Sequence, residues 1–211
     1  MDRDILYRII ESRRDVRAFR PDPVPEDVLR RILGAAHHAP SVGFMQPWNF
    51  IVVRDPATKA AVKVSFLEEN ARATAHYAGK RGELYRSLKL EGLEEAPLNV
   101  CVTCDRMRGG PHVLGRNTIV DTDVYSTCCA VENLWLAARA EGVGVGWVSI
   151  LTETALRRIL GIPEHVIPVA YLCVGFPEVF YDEPELERRG WRDRLPLDQA
   201  IFSERWGCHA T

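Results

Sequence analysis

Apolar residues recur at helical spacing at the start of the chain: Ile5, Leu6, Ile9 and Ile10 predict a helix over residues 3–12. Pro21, Pro23 and Pro25 then interrupt the pattern. Pro25 suits the first turn of a second helix, where its missing N–H is not needed, and Glu26 and Asp27 follow at the positive end of the helix dipole. Val28, Leu29, Ile32, Leu33 and Ala36 form that helix's apolar stripe, and His37-His38 closes it at the negative end. The β-branched run Phe50-Ile51-Val52-Val53 predicts a strand. Asp55-Pro56 opens a third helix reaching Ala78.

Residues 79–97 mix Lys, Arg, Glu and Gly with Tyr85, Leu88, Leu90 and Leu93, the pattern of a mobile cover or short helix pair over a site. A buried strand is expected over 98–104, a glycine-rich loop over 106–118 and a long helix over 121–140. That helix carries Cys128, Val131, Leu134, Trp135 and Ala138 on one face, and Gly142 ends it as a left-handed cap. A Gly-interrupted strand over 143–151, a short helix from Thr152 to Gly161 and a strand over 166–175 complete the alternation. The tail, 176–211, is rich in Pro, Arg and Glu and long enough to wrap a partner subunit. Helices first, then strands alternating irregularly with helices, give an α+β class, one domain over 1–211 with a central mixed sheet. Gly142, Gly144 and Gly146 follow a helix and lack dinucleotide-loop spacing.

At 211 residues, 46% hydrophobic and 27% charged, the chain can bury a full core. A net charge of -2 argues against a nucleic-acid surface. No apolar run reaches membrane-spanning length, and the charged start Met1-Asp2-Arg3-Asp4 is unlike a signal peptide, so a cytoplasmic protein without membrane partners is expected. Cys101 and Cys104 have a C-x-x-C spacing, but residues three apart on a strand point to opposite faces, which indicates packing. Cys128 and Cys129 are expected to pack on a helix. The six histidines show no ligand spacing, and no metal site is expected.

Two stretches carry the chemistry. Arg13, Arg14 and Arg17 crowd three guanidinium groups around Asp15 and Val16, a cluster whose self-repulsion calls for an anion. Arginine presents a planar fork of donors matched to phosphate oxygens. The second stretch, 40–48, is a Pro-bounded loop containing Ser41, Phe44, Gln46 and Trp48 and running straight into a strand. Together they indicate a pocket for a planar, phosphorylated ligand.

These segments resemble the FMN-dependent nitroreductase superfamily: the Arg-rich stretch after the first helix, a Pro-Ser…Gln-Pro-Trp loop, a Gly-rich strand after the long helix, and the pair Arg192 and Arg194 near the C-terminus. The resemblance implies the nitroreductase-like fold, an interlaced homodimer with an extended C-terminal tail, and FMN at its interface. It assigns Arg13, Arg14, Asp15, Val16, Arg17, Ser41, Gln46, Leu88, Ser149, Arg192 and Arg194 to cofactor binding. Asp15 stands where the superfamily usually has Ser, and Phe44 where it usually has Asn. Both departures, with the run from Gly144 to Ser149 and the run from Leu88 to Pro97, are similar to the 5,6-dimethylbenzimidazole synthase (BluB) branch. That branch implies O2-dependent fragmentation of reduced FMN to 5,6-dimethylbenzimidazole, the lower ligand of cobalamin, and erythrose 4-phosphate. It also implies Asp15 and Ser149 as the catalytic pair and a separate NAD(P)H flavin reductase as supplier. A nicotinamide-dependent nitroreductase or reductive dehalogenase is the alternative enzyme, and a flavin-binding protein without turnover the alternative of another class.

Overall fold

The computed structural model describes residues 3–208; the charged start Met1-Asp2 and the last three residues of the tail lie outside the described residues. Four strands form one sheet in the order β1 (Trp48–Val53), β2 (Leu98–Asp105), β4 (Val166–Gly175), β3 (Gly144–Trp147). All three pairings are antiparallel. The parallel component of a mixed sheet is confined to one bridge, Asp15 to Val145, along the outer side of β3. β2 and β4 are central and buried nearly throughout, as expected of near-continuous apolar runs covered on both faces.

Helices cover both faces. On one side α2 (Glu26–His37) and α5 (Thr122–Ala140) bury Leu29, Ile32, Ala36, Val131 and Leu134 against Val100, Val102, Leu172 and Val174. On the other, α3 (Pro56–Thr74) and α6 (Glu153–Leu160) bury Val62, Phe66 and Leu156 against Cys101, Tyr171 and Cys173. Each fully buried Leu, Ile or Phe contributes about 1.5–3 kcal/mol. Cys101 and Cys104 therefore face opposite layers as expected; burial pushes their thiols up to about 12 and about 11, so both stay protonated. Cys128 and Cys129 are exposed in this chain, contrary to the packing expected of them. The buried stripe of α5 instead runs through Asp123, Thr127, Ala130, Leu134 and Ala138.

The third helix stops at Thr74, four residues short of expectation, and a turn leads into α4 (Gly79–Ser87). The 79–97 segment divides in two. α4 is largely exposed, with Tyr85 donating its hydroxyl to Asn70 Oδ1 at 2.8 Å. Residues 91–97 are anchored: Lys59 Nζ donates to the carbonyls of Glu94 (3.2 Å) and Ala96 (2.8 Å), Asn99 Nδ2 donates to Leu93 O, and Lys63 pairs with Glu91. α1 (Arg3–Ser12) is amphipathic yet buries no residue, leaving Ile5, Leu6, Tyr7 and Ile10 exposed.

The chain divides into two compact units, Met1–Phe180 and Tyr181–Thr211. Residues 176–178 belong with the first, because Arg20 N–H donates to Phe176 O (2.8 Å) and Glu178 N–H to Ala18 O (3.2 Å). The second unit holds α7 (Glu185–Arg188) and a 3₁₀ turn at Leu197–Gln199, and none of its described residues is buried. Within it Arg188 stacks on Tyr181 at 4.0 Å and Phe202 meets Trp206 at 4.7 Å.

Candidate functional site

The arginine stretch leaves α1 in extended form and docks along β3. Val16 N–H donates to Val145 O at 2.9 Å, and Val16 is buried. Asp15 Oδ1 accepts from Trp147 N–H at 2.9 Å, so a carboxylate takes the place of a strand's carbonyl at the sheet edge. Arg17 Nη2 donates both to the other Asp15 oxygen and to Trp147 O (2.7 Å). This close approach explains Gly146: a Cβ there would run into the Val16 carbonyl oxygen. Gly144 is also close, its Cβ position 2.8 Å from Val16 Cγ2.

Helix α5 holds the stretch from behind. Trp135 Nε1 donates to Arg14 O at 3.1 Å, and the Arg13 guanidinium lies 4.8 Å over the Trp135 ring. Arg139 Nε reaches the Ser12 carbonyl at 3.1 Å. Arg14 turns back on α1, donating to Glu11 O (2.7 Å) and Arg13 O (2.6 Å). On the far side the base of the 79–97 segment abuts the stretch, with the Cβ position of Gly92 only 2.8 Å from Arg17 O.

Asp15 sits in a recess: 42% of its side-chain surface is open to water, although protein crowds it on most sides. That crowding raises its pKa above the ordinary carboxylate value, against the opposing pull of Arg17, the Trp147 N–H and Arg13. Beneath it Cys173 is buried and its thiol is pushed up to about 12 by desolvation. The Arg17 side chain is better covered than that of Asp15, and its buried Nη1 has no hydrogen-bond partner. A buried donor of this kind is costly unless an acceptor arrives. Ser149 follows Trp147 by two residues; it is exposed and its hydroxyl has no partner among the described residues. The strand expected over 143–151 ends at Trp147, with one more bond from Val148 N–H to Tyr171 O, so Ser149 lies just past the ladder.

The 40–48 loop lies elsewhere on the same chain. Val42 N–H donates to Ser126 Oγ (3.0 Å) near the start of α5, whereas the arginine stretch docks at Trp135 and Arg139. Nine residues of helix separate Ser126 from Trp135, about 14 Å. Ser41 Oγ accepts from Gln46 N–H at 3.0 Å and closes the loop. Gly43, Phe44 and Gln46 all have left-handed backbone, φ 52, 52 and 49°. At Gly43 a Cβ would also lie 2.9 Å from Leu114 O, so only glycine fits. Arg108 clamps the loop, with Nη1 donating to Gln46 O (2.7 Å) and Trp48 O (2.8 Å) and Nη2 to Asn49 Oδ1. Trp48 Nε1 donates to His37 Nδ1 at 3.1 Å, giving His37 a role beyond ending its helix. Phe44 is exposed.

The structure thus brings Asp15, Val16 and Arg17 onto the outer edge of β3, with Arg13 stacked on Trp135 beside them, leaves Ser149 just past the end of that strand, and keeps Ser41 and Gln46 toward the other end of α5. Leu88 is half-buried at the end of α4, and Arg192 and Arg194 lie exposed in the second unit. Arg108 and Arg139 escaped the sequence reading, and Trp135 was read only as part of the apolar face of α5. Only their partners in space reveal them, since the linear pattern around Arg108 is that of a plain glycine-rich loop. Among the described residues no group of His, Cys, Asp or Glu could hold a metal ion, and no helix is long and apolar enough to cross a membrane.

A four-stranded antiparallel sheet between two helical layers, with an arginine-clasped carboxylate docked on its edge strand, is by its family match an α+β oxidoreductase fold. Residues 10–176 match the nitroreductase family, and the chain belongs to it. Within that family its similarity falls among the 5,6-dimethylbenzimidazole synthases. It is 46% identical to the Rhodospirillum rubrum 5,6-dimethylbenzimidazole synthase over 92% of both chains. It is 44% identical to the Rhodobacter capsulatus enzyme of that name, over 93% of this chain and 95% of the relative. A crystal structure of oxidized iodotyrosine deiodinase bound to FMN and 3-iodo-L-tyrosine superposes with a TM-score of 0.70. It is 23% identical and covers 83% of this chain and 91% of that one.

Proposed function

We propose that this chain is an aerobic 5,6-dimethylbenzimidazole synthase that fragments reduced FMN with O2, releasing the benzimidazole and erythrose 4-phosphate. The observation that carries the reading is the Asp15 carboxyl, raised in pKa and clasped between Arg17 and the Trp147 N–H, with the Ser149 hydroxyl two residues beyond Trp147, past the end of β3. The residues fit FMN. Arg17 Nη1 is a buried donor without an acceptor, and Arg13 brings a second positive charge to the same edge. A phosphate monoester carries about -1.5 to -2, which such a cluster neutralises. Arg14, Val16 and Leu88 are assigned with them to the flavin's surroundings.

Reduced FMN supplies the electrons for O2 and the carbon skeleton of the product. The chain's own residues do the rest. Asp15, its pKa raised by the protein crowding around it, is suited to hold or accept a proton, a task for which a serine at that position is unsuited. Arg17 and the Trp147 N–H fix its direction. The Ser149 hydroxyl donates to the edge of the ring system or to bound oxygen. Phe44, Met45 and α4 narrow the site and exclude bulk water.

A homodimer supports completion of the site. One chain keeps Ser41 and Gln46 about 14 Å along α5 from the arginines, and a second copy would bring its own loop to them. The exposed apolar face of α1 and the exposed Tyr125 on α5 are suited to that contact. Arg192 and Arg194, exposed in the second unit, are assigned to the cofactor by the resemblance alone. The assembly is read as cytoplasmic, served by a separate NAD(P)H flavin reductase.

The test is to mix the protein with chemically reduced FMN in air and separate the products by chromatography. One dimethylbenzimidazole per flavin lost, and none without O2, is expected. Steady NAD(P)H oxidation with a nitroaromatic acceptor and intact FMN would make it a nitroreductase. Tight FMN binding with nothing consumed would leave only a flavin carrier.

A further inference from the structure

Beside Ser149 the sheet opens. β3 pairs regularly with β4 as far as Trp147 and Leu172, adds one bond from Val148 N–H to Tyr171 O, and then peels away into α6. On the other side of β4 the register slips at the same level: β2 matches Val102 with Ala170 and Thr103 with Pro168. Val169 is therefore the extra residue of a β-bulge. Bulges interrupt pairing, re-aim side chains and concentrate beside active sites. The departing strand and the bulge leave a cavity of about 180 Å³ between them. Its walls include Trp147, Leu151, Leu156, Val169 and Tyr171, with Glu153 as the one charged lining residue and the Ser149 hydroxyl as a neutral polar group able to bond a guest.

We propose that this cavity is a product seat that receives the benzimidazole once it is cut from the flavin. The proposal rests on the synthase reading and adds a second binding site to it. Three properties select this occupant. The volume falls below the roughly 300–1,000 Å³ of pockets that enclose drug-sized ligands, so a tricyclic flavin with its ribityl phosphate does not fit, whereas a methylated bicycle does. The walls are predominantly aliphatic and aromatic, matching two aryl methyls and a flat ring. Benzimidazole offers one in-plane N–H and one bare ring nitrogen, and a serine hydroxyl satisfies either. The Trp147 backbone that holds Asp15 also forms one wall, so the seat adjoins the reacting edge and a freed bicycle moves only a short way to reach it. Erythrose 4-phosphate finds no cation in this cleft, whose one charged lining residue is Glu153, and leaves by another route.

The probe is 5,6-dimethylbenzimidazole itself, titrated into the full-length, FMN-loaded protein and followed by equilibrium dialysis and by nuclear Overhauser contacts from its methyl groups. Saturable one-to-one binding is expected, with contacts to the methyls of Leu156, Val169 and Ala170. Ser149→Ala should weaken it about fivefold, what one neutral hydrogen bond contributes. Val169→Phe, which fills the cleft, should abolish it while the protein retains its flavin; should that variant not fold, the Overhauser contacts in the unaltered protein decide alone. Contacts to the arginine stretch instead, undiminished binding to folded Val169→Phe, or no binding at millimolar ligand would overturn the proposal. Complete displacement of the probe by FMN would do the same, since the cleft would then be part of the flavin's own seat. Binding at the cleft by a protein that makes no benzimidazole would sink the synthase reading and leave the cavity assignment standing.

Discussion

Gly146→Ala tests the docking of the arginine stretch directly. The new methyl would overlap the Val16 carbonyl oxygen, and a relaxed carbon–oxygen contact is about 3.3–3.6 Å. The stretch must retreat by more than about 1 Å to restore such a contact. That displacement carries the 2.9 Å bonds from Val16 N–H to Val145 O and from Trp147 N–H to Asp15 beyond hydrogen-bonding range. The first is worth about 1 kcal/mol and the second, to a charged group, about 1.5–3. A loss near 3 kcal/mol follows, which for a chain of this size lowers the Tm by about 6–12 °C. Thermal unfolding by circular dichroism reads the Tm, and amide hydrogen exchange reads Val16 and Trp147 individually. Gly34→Ala is the control: it lies in α2 with open space around its Cβ position and should gain about 0.5–1 kcal/mol. A Gly146→Ala protein melting within 2 °C (~0.5–1 kcal/mol) of the parent, with both amides still protected, would refute the reasoning.

Asp15→Asn should lower benzimidazole formation at least about a hundredfold while FMN stays bound, measured by product chromatography and flavin retention. Its effect on stability has a definite sign. The folded state raises the Asp15 pKa and so binds the proton more tightly than the unfolded chain; stability contributed by this group is present below the ordinary carboxylate pKa and lost as pH rises through the elevated value. The Tm difference between Asp15→Asn and the parent should therefore move in the variant's favour from acid toward neutral pH, and a difference constant with pH would count against the raised pKa. Arg108→Ala removes three hydrogen bonds from a loop that holds two non-glycine residues in left-handed backbone, each strained by about 1–3 kcal/mol. It should weaken flavin binding about tenfold, with partial rescue by Arg108→Lys, as read by fluorescence titration. Lys59→Met leaves the Glu94 and Ala96 carbonyls without their donor and should cost about 2 kcal/mol, a Tm drop of about 4–8 °C.

Much of the fold was legible because period and punctuation agreed with the packing. Pro25, Asp55-Pro56, Thr152 and Gly161 stand at element boundaries in both readings, and Asp55 and Thr152 accept the backbone N–H bonds of true caps. The strand after α5 was read too long because Val148, Ile150 and Leu151 are apolar; they contribute instead to the packing with α3 and α6, and the ladder with β4 stops at Trp147 and Leu172. Cys128 was placed on the buried face since it stands three residues before Val131, but the stripe is centred on Thr127 and Ala130. The chemical stretch 13–17 was visible as a charge cluster. The long-range partners of that stretch and of the 40–48 loop were not: Gly92 and Arg108 act across 75 and 62 residues of sequence, onto Arg17 and Gln46 respectively, separations at which local spacing carries no information. The 40–48 loop was visible too, but its distance from the arginines along α5 is a fact of three dimensions.

β3 is the last strand of its sheet, and a bare outermost strand offers a row of unsatisfied donors and acceptors to any passing polypeptide. Here the residues that carry the proposed chemistry occupy that row: Val16 takes one carbonyl and Asp15 one amide. The reactive segment therefore also shields the protein from edge-to-edge self-association. A lesion that unseats it removes turnover and uncovers a template for aggregation in the same event, so clumping of such variants on storage is a direct sign that the segment has come loose.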